Sequence, residues 1–317
     1  MSAHRGLLAV QVAGLEFQNP IVLAAGTAAY GRELADVVDL RALGGIVTKA
    51  VSPEPRSGAP SPRVAEFDGG MINAVGLANP GVDAVRKEHL PWLATSLPSV
   101  RKIANIVGFS TEEFAEVIAQ LDASVNAECS GALDAYEINV SCPNVKAGGM
   151  EFGADFNALA DVVRRARVVT RRPLFVKLSP TLPDIARSAS VAVEEGADAL
   201  TLVNTLPGLV IDVERRRPAL GFGQGGVSGS ALRPAGVLAT WKVRRAVAVP
   251  LFGIGGVSSA EDALQYLIAG ASLVGMGTAM LRDPRAPERA VRALARWCEA
   301  HDVERIADII GTLEVPK

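Results

Sequence analysis

Short apolar runs rich in valine, isoleucine and alanine recur along the chain and alternate with stretches of helical periodicity. The apolar runs are continuous rather than alternating, which is typical of parallel strands covered on both faces. They predict eight strands, near Ile21–Gly26, Gly45–Ala50, Ile103–Phe109, Tyr136–Cys142, Leu174–Ser179, Ala199–Thr205, Pro250–Gly255 and Leu273–Gly277. Helices are predicted at Glu112–Leu121, Phe156–Val169, Pro183–Glu195 and Ala260–Ala269, with a last helix in the tail Cys298–Lys317.

The alternation of eight strands with helices predicts an α/β protein, a (β/α)8 TIM barrel that forms one domain over residues 1–317. A doubly wound open sheet is the alternative on this pattern alone. Two long connections, Val51–Arg101 and Leu206–Arg233, are rich in Gly, Pro and Ser and leave the carboxyl ends of their strands. Barrel enzymes build their sites at that end, so we interpret both as excursions of the barrel rather than as domains.

Charge and composition exclude several classes of function. The 32 basic and 34 acidic residues give a net charge of −2, which provides no electrostatic footprint for nucleic acid or an anionic membrane. No apolar run reaches the roughly eighteen residues of a membrane span, and the N-terminus lacks a signal-peptide core. We therefore expect a cytoplasmic protein that acts on a small molecule or binds another protein.

The three cysteines are Cys129, Cys142 and Cys298, and no two of them form a CxxC pair. Neither a disulfide framework nor a metal site is expected from this spacing. Cys142 stands out because it lies just past the fourth predicted strand, where catalytic side chains of barrels emerge. The three histidines, His4, His89 and His301, lie away from the strand ends, which disfavours a Cys-His hydrolase. A thiol that acts as a general base or acid needs no such partner, although an inert buried cysteine is the alternative.

Glycine-rich turns follow the seventh and eighth predicted strands, at Gly253–Gly256 and Gly275–Thr278. Glycine lets the backbone approach a ligand, and the helices that follow would offer free N–H groups to an anion. Barrels commonly bind phosphate at this place, so the pattern predicts a phosphate site, with tight turns as the alternative. The segment Gly221–Gly226 also satisfies GxGxxG, but it follows no strand, and we interpret it as a mobile glycine-rich loop.

Two lysines and several asparagines lie at the same predicted end of the strands. Lys49 and Lys177 stand in apolar strands, which is costly unless an anion pairs with them. The partner is either a structural carboxylate or a ligand anion, and Schiff-base chemistry is conceivable for Lys177. Amide side chains suit a planar ligand edged with C=O and N–H groups, although each can also be a turn residue or a cap. The asparagines are Asn73, Asn105, Asn139, Asn144 and Asn204.

Two motifs are specific in sequence, Asn139-Val140-Ser141-Cys142-Pro143-Asn144-Val145-Lys146 and Asn73-Ala74-Val75-Gly76-Leu77-Ala78-Asn79-Pro80-Gly81. Shorter matches are Thr48–Ala50, Val203–Thr205, Gly226–Gly229, Gly253–Gly256 and Gly275–Thr278. In order and spacing, from about Leu8 to the C-terminal region, these motifs resemble the class 1 dihydroorotate dehydrogenases. The resemblance implies an FMN-containing barrel that oxidises dihydroorotate to orotate in pyrimidine (UMP) biosynthesis.

The resemblance also implies roles for individual residues. Cys142 would remove the C5 proton, and the C6 hydride would pass to flavin N5. Lys177 would stabilise negative charge at the pyrimidine edge of the flavin, and Gly229 would close over the ring. The implied FMN contacts are Ala25, Gly26, Lys49, Ala50, Asn105, Asn139, Lys177, Val203, Gly229, Gly255, Gly256, Gly277 and Thr278. The implied substrate contacts are Lys49, Asn73, Ala74, Val75, Gly76, Leu77, Asn139, Asn144, Asn204 and Thr205.

The subclass follows from the same motifs. Class 2 enzymes are membrane-linked, use serine in place of Cys142 and carry an N-terminal helical extension, so class 2 is disfavoured. Ser141–Lys146 and Asn79–Val82 look more like the NAD-linked 1B type, a homodimer of barrels that pairs with FAD and iron–sulfur subunits in a heterotetramer. Three scattered cysteines cannot hold that cluster here, so FAD and 2Fe-2S are expected only on the partner subunit. Ala25 departs from the serine that the family often has.

Three other functions stay open at this point. The chain is also compatible with the fumarate-linked 1A type, with a flavin-dependent dihydropyrimidine dehydrogenase, and with a barrel subunit that has no turnover. The basic run Arg215-Arg216-Arg217 in the second excursion is either solvated surface or a partner contact.

Overall fold

The continuous apolar runs form the strands of a closed parallel barrel in the computed structural model, which describes residues 6–141, 143–144 and 150–316. Eight strands pair in chain order, and the last closes on the first. The barrel strands are β3 Ile21–Leu23, β4 Gly45–Val47, β7 Arg101–Ile106, β8 Ala135–Asn139, β11 Leu174–Leu178, β12 Ala199–Leu202, β17 Leu251–Ile254 and β18 Leu273–Met276. The predicted TIM barrel is confirmed, and the open sheet is excluded.

The remaining strands form small antiparallel sheets outside the barrel. They are β1 Val10–Val12, β2 Leu15–Phe17, β5 Val64–Phe67, β6 Gly70–Asn73, β9 Pro143–Asn144, β10 Met150–Glu151, β13 Leu206–Gly208, β14 Ile211–Asp212, β15 Arg217–Pro218 and β16 Gly225–Ser228. The helices are α1 Val82–Ala84, α2 Leu90–Ser96, α3 Thr111–Ala127, α4 Phe156–Val169, α5 Ile185–Glu194, α6 Arg233–Arg244, α7 Ala260–Ala269, α8 Thr278–Arg282 and α9 Ala286–Ala300.

The helices begin and end where local chemistry favours it. Asp155 caps α4 by accepting hydrogen bonds from the two N–H groups of Asn157 and Ala158. A capping box of Ser259 and Asp262 starts α7, and Gly270 ends it with φ of 118°, a left-handed conformation that glycine adopts without strain. The predicted bounds of α4 and α7 match the structure.

Each predicted barrel strand extended one to three residues too far at its carboxyl end, as the fourth shows: it was predicted to Cys142 and ends at Asn139. The residues just beyond the ladder line the mouth of the barrel rather than pair with a neighbouring strand. The hydrophobic run therefore marks where a strand lies, and the polar residues after it mark where pairing stops.

The two excursions are joined in one sheet, which the sequence did not predict. Strands β13, β16, β6 and β5 pair in that order, so the second excursion adds strands to the hairpin of the first. Gly225 and Gly226 belong to β16, where the Asn73 carbonyl and the Thr205 side chain occupy the space of a Cβ atom. Interpreting Gly221–Gly226 as a mobile loop was therefore wrong for its last two residues, although no helix begins inside the motif.

Two further expectations about helices need correction. The connection from β3 to β4, described throughout residues 24–44, contains only two short 3-10 turns, Arg32–Leu34 and Leu40–Ala42. The helix α9 begins earlier than expected and ends at Ala300, and the tail after it contains only the short 3-10 helix Ile306–Ile309. Instead Gly311 donates its N–H to the Leu267 carbonyl, which lays the tail against α7. Among the described residues, no helix combines the length and apolar character needed to cross a bilayer.

Candidate active site

A cavity of about 1130 Å³ opens at the carboxyl ends of the barrel strands, beneath the sheet that joins the two excursions. Its walls include Ala25, Gly26, Lys49, Ala50, Asn105, Asn139, Lys177, Val203, Gly229, Gly255, Gly256, Gly277 and Thr278, which are the residues expected to contact a cofactor. They also include Asn73, Ala74, Val75, Gly76, Leu77, Asn204 and Thr205, which were expected to contact substrate. Cys142 and the side chain of Asn144 lie outside the described residues.

Asparagine amides on the cavity wall are fixed by one another and by backbone groups. The Oδ1 atom of Asn139 accepts hydrogen bonds from the Ser141 N–H and from Nδ2 of Asn204, each at 3.3 Å. The Oδ1 atom of Asn204 in turn accepts from the Thr205 N–H at 2.9 Å. Because neighbouring groups set these amide orientations, the cavity presents a preorganised set of donors and acceptors to a ligand.

The loop Ala74–Leu77 forms one wall in a conformation that its neighbours impose. Gly76 has φ of 70°, and Leu77 has φ of 58°, which is rare for a leucine. The Val75 carbonyl accepts a hydrogen bond from the Ala59 N–H at 3.1 Å and ties this wall to the preceding segment. A strained non-glycine residue on a cavity wall is consistent with a ligand-contacting role for this loop.

Behind the cavity wall, in the barrel interior, lies a buried carboxylate that was not among the predicted site residues. Glu137 on β8 is only 1% exposed and accepts hydrogen bonds from Asn105 Nδ2 at 2.7 Å and Thr201 Oγ1 at 2.9 Å. The Nζ atom of Lys177 lies 3.9 Å from the Glu137 carboxylate. Lys177 therefore has the structural partner that its position in an apolar strand required, and it also lines the cavity. A charge inside the apolar strand Ala135–Asn139 is the sequence signal that would have identified Glu137.

Lys49 presents a second positive charge to the cavity. Its backbone N–H donates to the Ala29 carbonyl at 2.7 Å, which fixes the residue just after β4. Within the described part of the chain, no carboxylate forms an ion pair with its ammonium group. A cavity with this charge and with Lys177 suits an anionic ligand.

The sequence analysis expected two helix N-termini to bind the phosphate, and the structure of this end of the barrel is different. Asp262 accepts hydrogen bonds from the Ser258 and Ser259 N–H groups and caps α7, and it pairs with Arg233. The helix after β18 has only five residues, Thr278–Arg282. The N–H groups of Gly256, Val257 and Gly277 have no partner among the described residues, so loop amides rather than helix ends are available to a phosphate.

Gly229 and Gly277 both lie on the cavity wall, but the space around them explains the absence of a side chain in different ways. A Cβ atom on Gly229 would lie 2.6 Å from the Cα atom of Gly70, and its φ is 91°. The close approach of the two excursions therefore requires Gly229, whatever ligand lies below. At Gly277 a Cβ atom would meet Thr27 at 3.4 Å, an ordinary contact. Protein packing leaves room there for a side chain, so the space fits the cradle of a ligand.

Ser228 also lines the cavity, although only its neighbour Gly229 was predicted to do so. Its Oγ atom lies 2.8 Å from Thr278 Oγ1 and connects the excursion sheet to the end of β18. The signal was present in the sequence because Ser228 lies inside the matched motif Gly226–Gly229. Within the described ranges, no three histidine, cysteine, aspartate or glutamate side chains come together as metal ligands.

After β8 in the chain, the short strands β9 and β10 pair antiparallel, with Glu151 opposite Pro143. Burial raises the pKa of the Glu151 carboxyl, and a hydrogen bond with Ser179 partly opposes that rise. This pairing thus places a half-buried acid beside the strand that follows Cys142.

The fold and the cavity together define a ligand-binding (β/α)8 barrel whose site suits an anionic, planar ligand with a polar edge. The family model of dihydroorotate dehydrogenase matches residues 7–297. The chain belongs to the dihydroorotate dehydrogenase family.

Individual relatives cover nearly the whole chain. The dihydroorotate dehydrogenase B (NAD(+)) catalytic subunit of Pelobacter propionicus is 45% identical over 97% of this chain and 98% of its own length. A protein of Solibacter usitatus, provisionally named dihydroorotate dehydrogenase A (fumarate), is 46% identical over 97% of this chain and 98% of its own length. A crystal structure of DHODH from Eimeria tenella in complex with ferulenol has a TM-score of 0.81 at 23% identity, covering 96% of this chain and 88% of that one. That structure supports the fold.

Proposed function

We propose that the chain oxidises (S)-dihydroorotate to orotate in pyrimidine biosynthesis, with FMN bound in the central cavity and Cys142 as the base. Membership of the dihydroorotate dehydrogenase family supports the reaction. The observation that carries the site assignment is the single cavity that gathers the asparagines, both lysines and the glycine turns. FMN, when bound, supplies a hydride acceptor and passes the electrons on.

The residues of the chain fit this cofactor and substrate. Free N–H groups at Gly256 and Gly277 offer hydrogen bonds to a phosphate, and the open space at Gly277 leaves room for it. Lys177 on the floor stabilises negative charge that develops on a bound ligand. Lys49 attracts the carboxylate that distinguishes orotate from uracil, and Asn139 and Asn204 hold the polar edge of the ring.

Cys142 is proposed to take the C5 proton because it belongs to the matched motif Asn139–Lys146 and comes three residues after Asn139, the last residue of β8. A thiol has a pKa closer to neutrality than a hydroxyl group, so a far larger fraction of it is deprotonated near neutral pH and available as a base. Its role stays a prediction from the motif.

The test measures anaerobic bleaching of the bound flavin by dihydroorotate in stopped flow. Cys142→Ser should slow flavin reduction by about 10²–10⁴-fold near neutral pH. Cys129→Ser is the matched control, since Cys129 is buried and does not line the cavity. Flavin reduction at the wild-type rate in Cys142→Ser would remove the base role. A flavin-loaded protein that dihydroorotate does not bleach would remove the proposed reaction.

We further propose that NAD⁺ is the final acceptor, through a separate subunit that carries FAD and a 2Fe-2S cluster, and that two barrels form a homodimer in the cytoplasm. The name of the Pelobacter propionicus relative, a catalytic subunit, supports a partner. The second excursion offers exposed apolar side chains for protein contacts, among them Val213 at 75% and Phe222 at 61%.

The fumarate-linked alternative is kept because of the name of the Solibacter usitatus relative. Purification from the native cell, followed by turnover with NAD⁺ and with fumarate, separates the two. Copurification of a flavin and iron–sulfur subunit with NAD⁺ turnover is the expected result. Fumarate turnover by the barrel alone would replace the proposal with the 1A type.

A further inference from the structure

Glu137 is a fully buried carboxylate in the barrel interior, behind the cavity wall, and three barrel strands supply its neighbours. Asn105 on β7 donates to Oε1, Thr201 on β12 donates to Oε2, and Lys177 on β11 lies 3.9 Å from Oε1. The two hydrogen bonds are short, whereas the lysine stands beyond hydrogen-bonding distance. Glu137 is thus held by the two neutral donors and not by the lysine.

This arrangement leaves the lysine ammonium group free to contact a ligand. Lys177 lines the cavity, and Glu137 lies behind it, in the barrel interior. A buried negative charge at this distance offsets part of the positive potential that Lys177 presents to the cavity, because the local dielectric is low. The size of that offset decides how strongly the site favours a ligand that gains negative charge.

We propose that Glu137 is a positioning residue that holds the Lys177 ammonium group and limits its effect on the cofactor. The inference rests on the proposed function. In the reaction, the C6–H bond breaks with both electrons and the hydride goes to the cofactor, while the C5 proton goes to Cys142. The cofactor therefore gains one negative charge beside Lys177. Glu137 lowers the stabilisation of that charge and keeps the electrons transferable to the next acceptor.

The experiment measures the ratio of the affinities for reduced and oxidised FMN, by redox titration of the bound flavin against a reference dye. Glu137→Gln is nearly isosteric and keeps both hydrogen bonds, since the amide oxygen can accept from Asn105 and the Thr201 hydroxyl can accept from the amide nitrogen. We expect the ratio to shift about tenfold toward reduced FMN, which for a two-electron couple corresponds to about 30 mV.

Two further variants assign the cause. In a Lys177→Met background the shift caused by Glu137→Gln should be smaller, because the part that acts through the lysine is lost and only the direct effect of the Glu137 charge on the cofactor remains. Asp122→Asn is the matched control: it neutralises a partly buried carboxylate that pairs with Arg172 and does not line the cavity. The ratio of affinities for reduced and oxidised FMN in this variant should equal that of the wild type within twofold.

A second readout needs no cofactor. Lys177→Met leaves the Glu137 charge uncompensated in the protein interior and should lower the thermal unfolding midpoint of the flavin-free protein. Adding Glu137→Gln to that variant should restore most of the loss, and this measurement holds even where Glu137→Gln alone does not fold.

The outcomes separate this inference from the proposed function. An unchanged ratio in Glu137→Gln, or a shift of the same size in the Lys177→Met background, overturns the role of Glu137 while the flavin still binds and dihydroorotate still reduces it. Failure of the proposed function shows instead as wild-type protein that binds no FMN or that dihydroorotate does not reduce.

Discussion

Two adjacent residues of β8 belong to two different ion networks, an outer one that is partly buried and an inner one that is fully buried. Tyr136 faces the helices and donates to Asp122 at 2.7 Å, while Glu137 faces the barrel interior. In the outer network, Arg172 donates to Asp122 at 2.8 Å and spends its other N–H groups on Leu133 and Asn126. In the inner network, Lys177 remains 3.9 Å from its carboxylate.

The difference indicates that the outer network contributes to stability, whereas the inner network is placed to act on a ligand. Each of the three nitrogen atoms of the outer arginine donates to a protein partner, so the residue ties α3 to the start of β11, and it does not line the cavity. Burial, with Asp122 second, raises the pKa of Tyr136, which keeps its phenol a donor. The inner lysine has one distant partner and lines a cavity. A cation left partly unsatisfied beside a cavity marks a site more reliably than burial alone.

The largest effect is expected when a substitution breaks the inner network. Lys177→Met should lower the rate of flavin reduction by dihydroorotate about 10²–10³-fold, because it removes a preorganised positive charge from the site. Stopped-flow reduction at saturating substrate measures it. Arg172→Met is the control in the outer network and should keep the rate within threefold. Equal rate losses in the two variants would abolish the distinction between the networks.

Breaking the outer network should affect stability instead. Asp122→Asn leaves Arg172 without its carboxylate and should lower the free energy of unfolding by about 2–4 kcal/mol. Urea unfolding monitored by circular dichroism provides the value. Flavin reduction by the folded variant should match the wild type, and a parallel fall in rate would argue against separate roles.

A smaller effect is expected at the phosphate end. Gly277→Ala should weaken FMN binding about tenfold, because the new methyl group enters the ligand space, and overpacking costs about 1–3 kcal/mol. Fluorescence titration of flavin-free protein with FMN gives the affinity. Gly6→Ala is the control, since a Cβ atom there has no neighbour within 4 Å. Unchanged affinity in Gly277→Ala would place the phosphate elsewhere.

The smallest expected effect depends on pH and lies outside both networks. The His89 ring stacks on Tyr30 with centroids 4.0 Å apart, and burial lowers its pKa from the usual 6.5. The unfolded chain therefore takes up a proton at a higher pH than the folded chain does, so stability is lost as pH falls through 6.5 and below. His89→Phe should reduce the fall in melting temperature between pH 7.5 and 5.5. A fall as steep as in wild type would rule out this contribution.

The sequence was sufficient for the barrel and for most of the cavity wall, because both depend on local signals. The Val-rich runs predicted the positions of all the barrel strands, and the glycines and asparagines that follow them predicted residues of the cavity wall. It was insufficient where partners are distant along the chain. Glu137 is linked to the site only by the partners that β7, β11 and β12 bring to it in the fold. The cap that Asp262 places on α7 could not be predicted from a pattern of glycines.

The sheet that joins the two excursions has a consequence for how the enzyme can be altered. Loops of a barrel are usually exchangeable one at a time, since each is anchored to its own strand and helix. Here β6 of the first excursion pairs with β16 of the second, more than 150 residues later in the chain. The two segments therefore form one structural unit, and a chimera that replaces only one of them disrupts the sheet that covers the cavity.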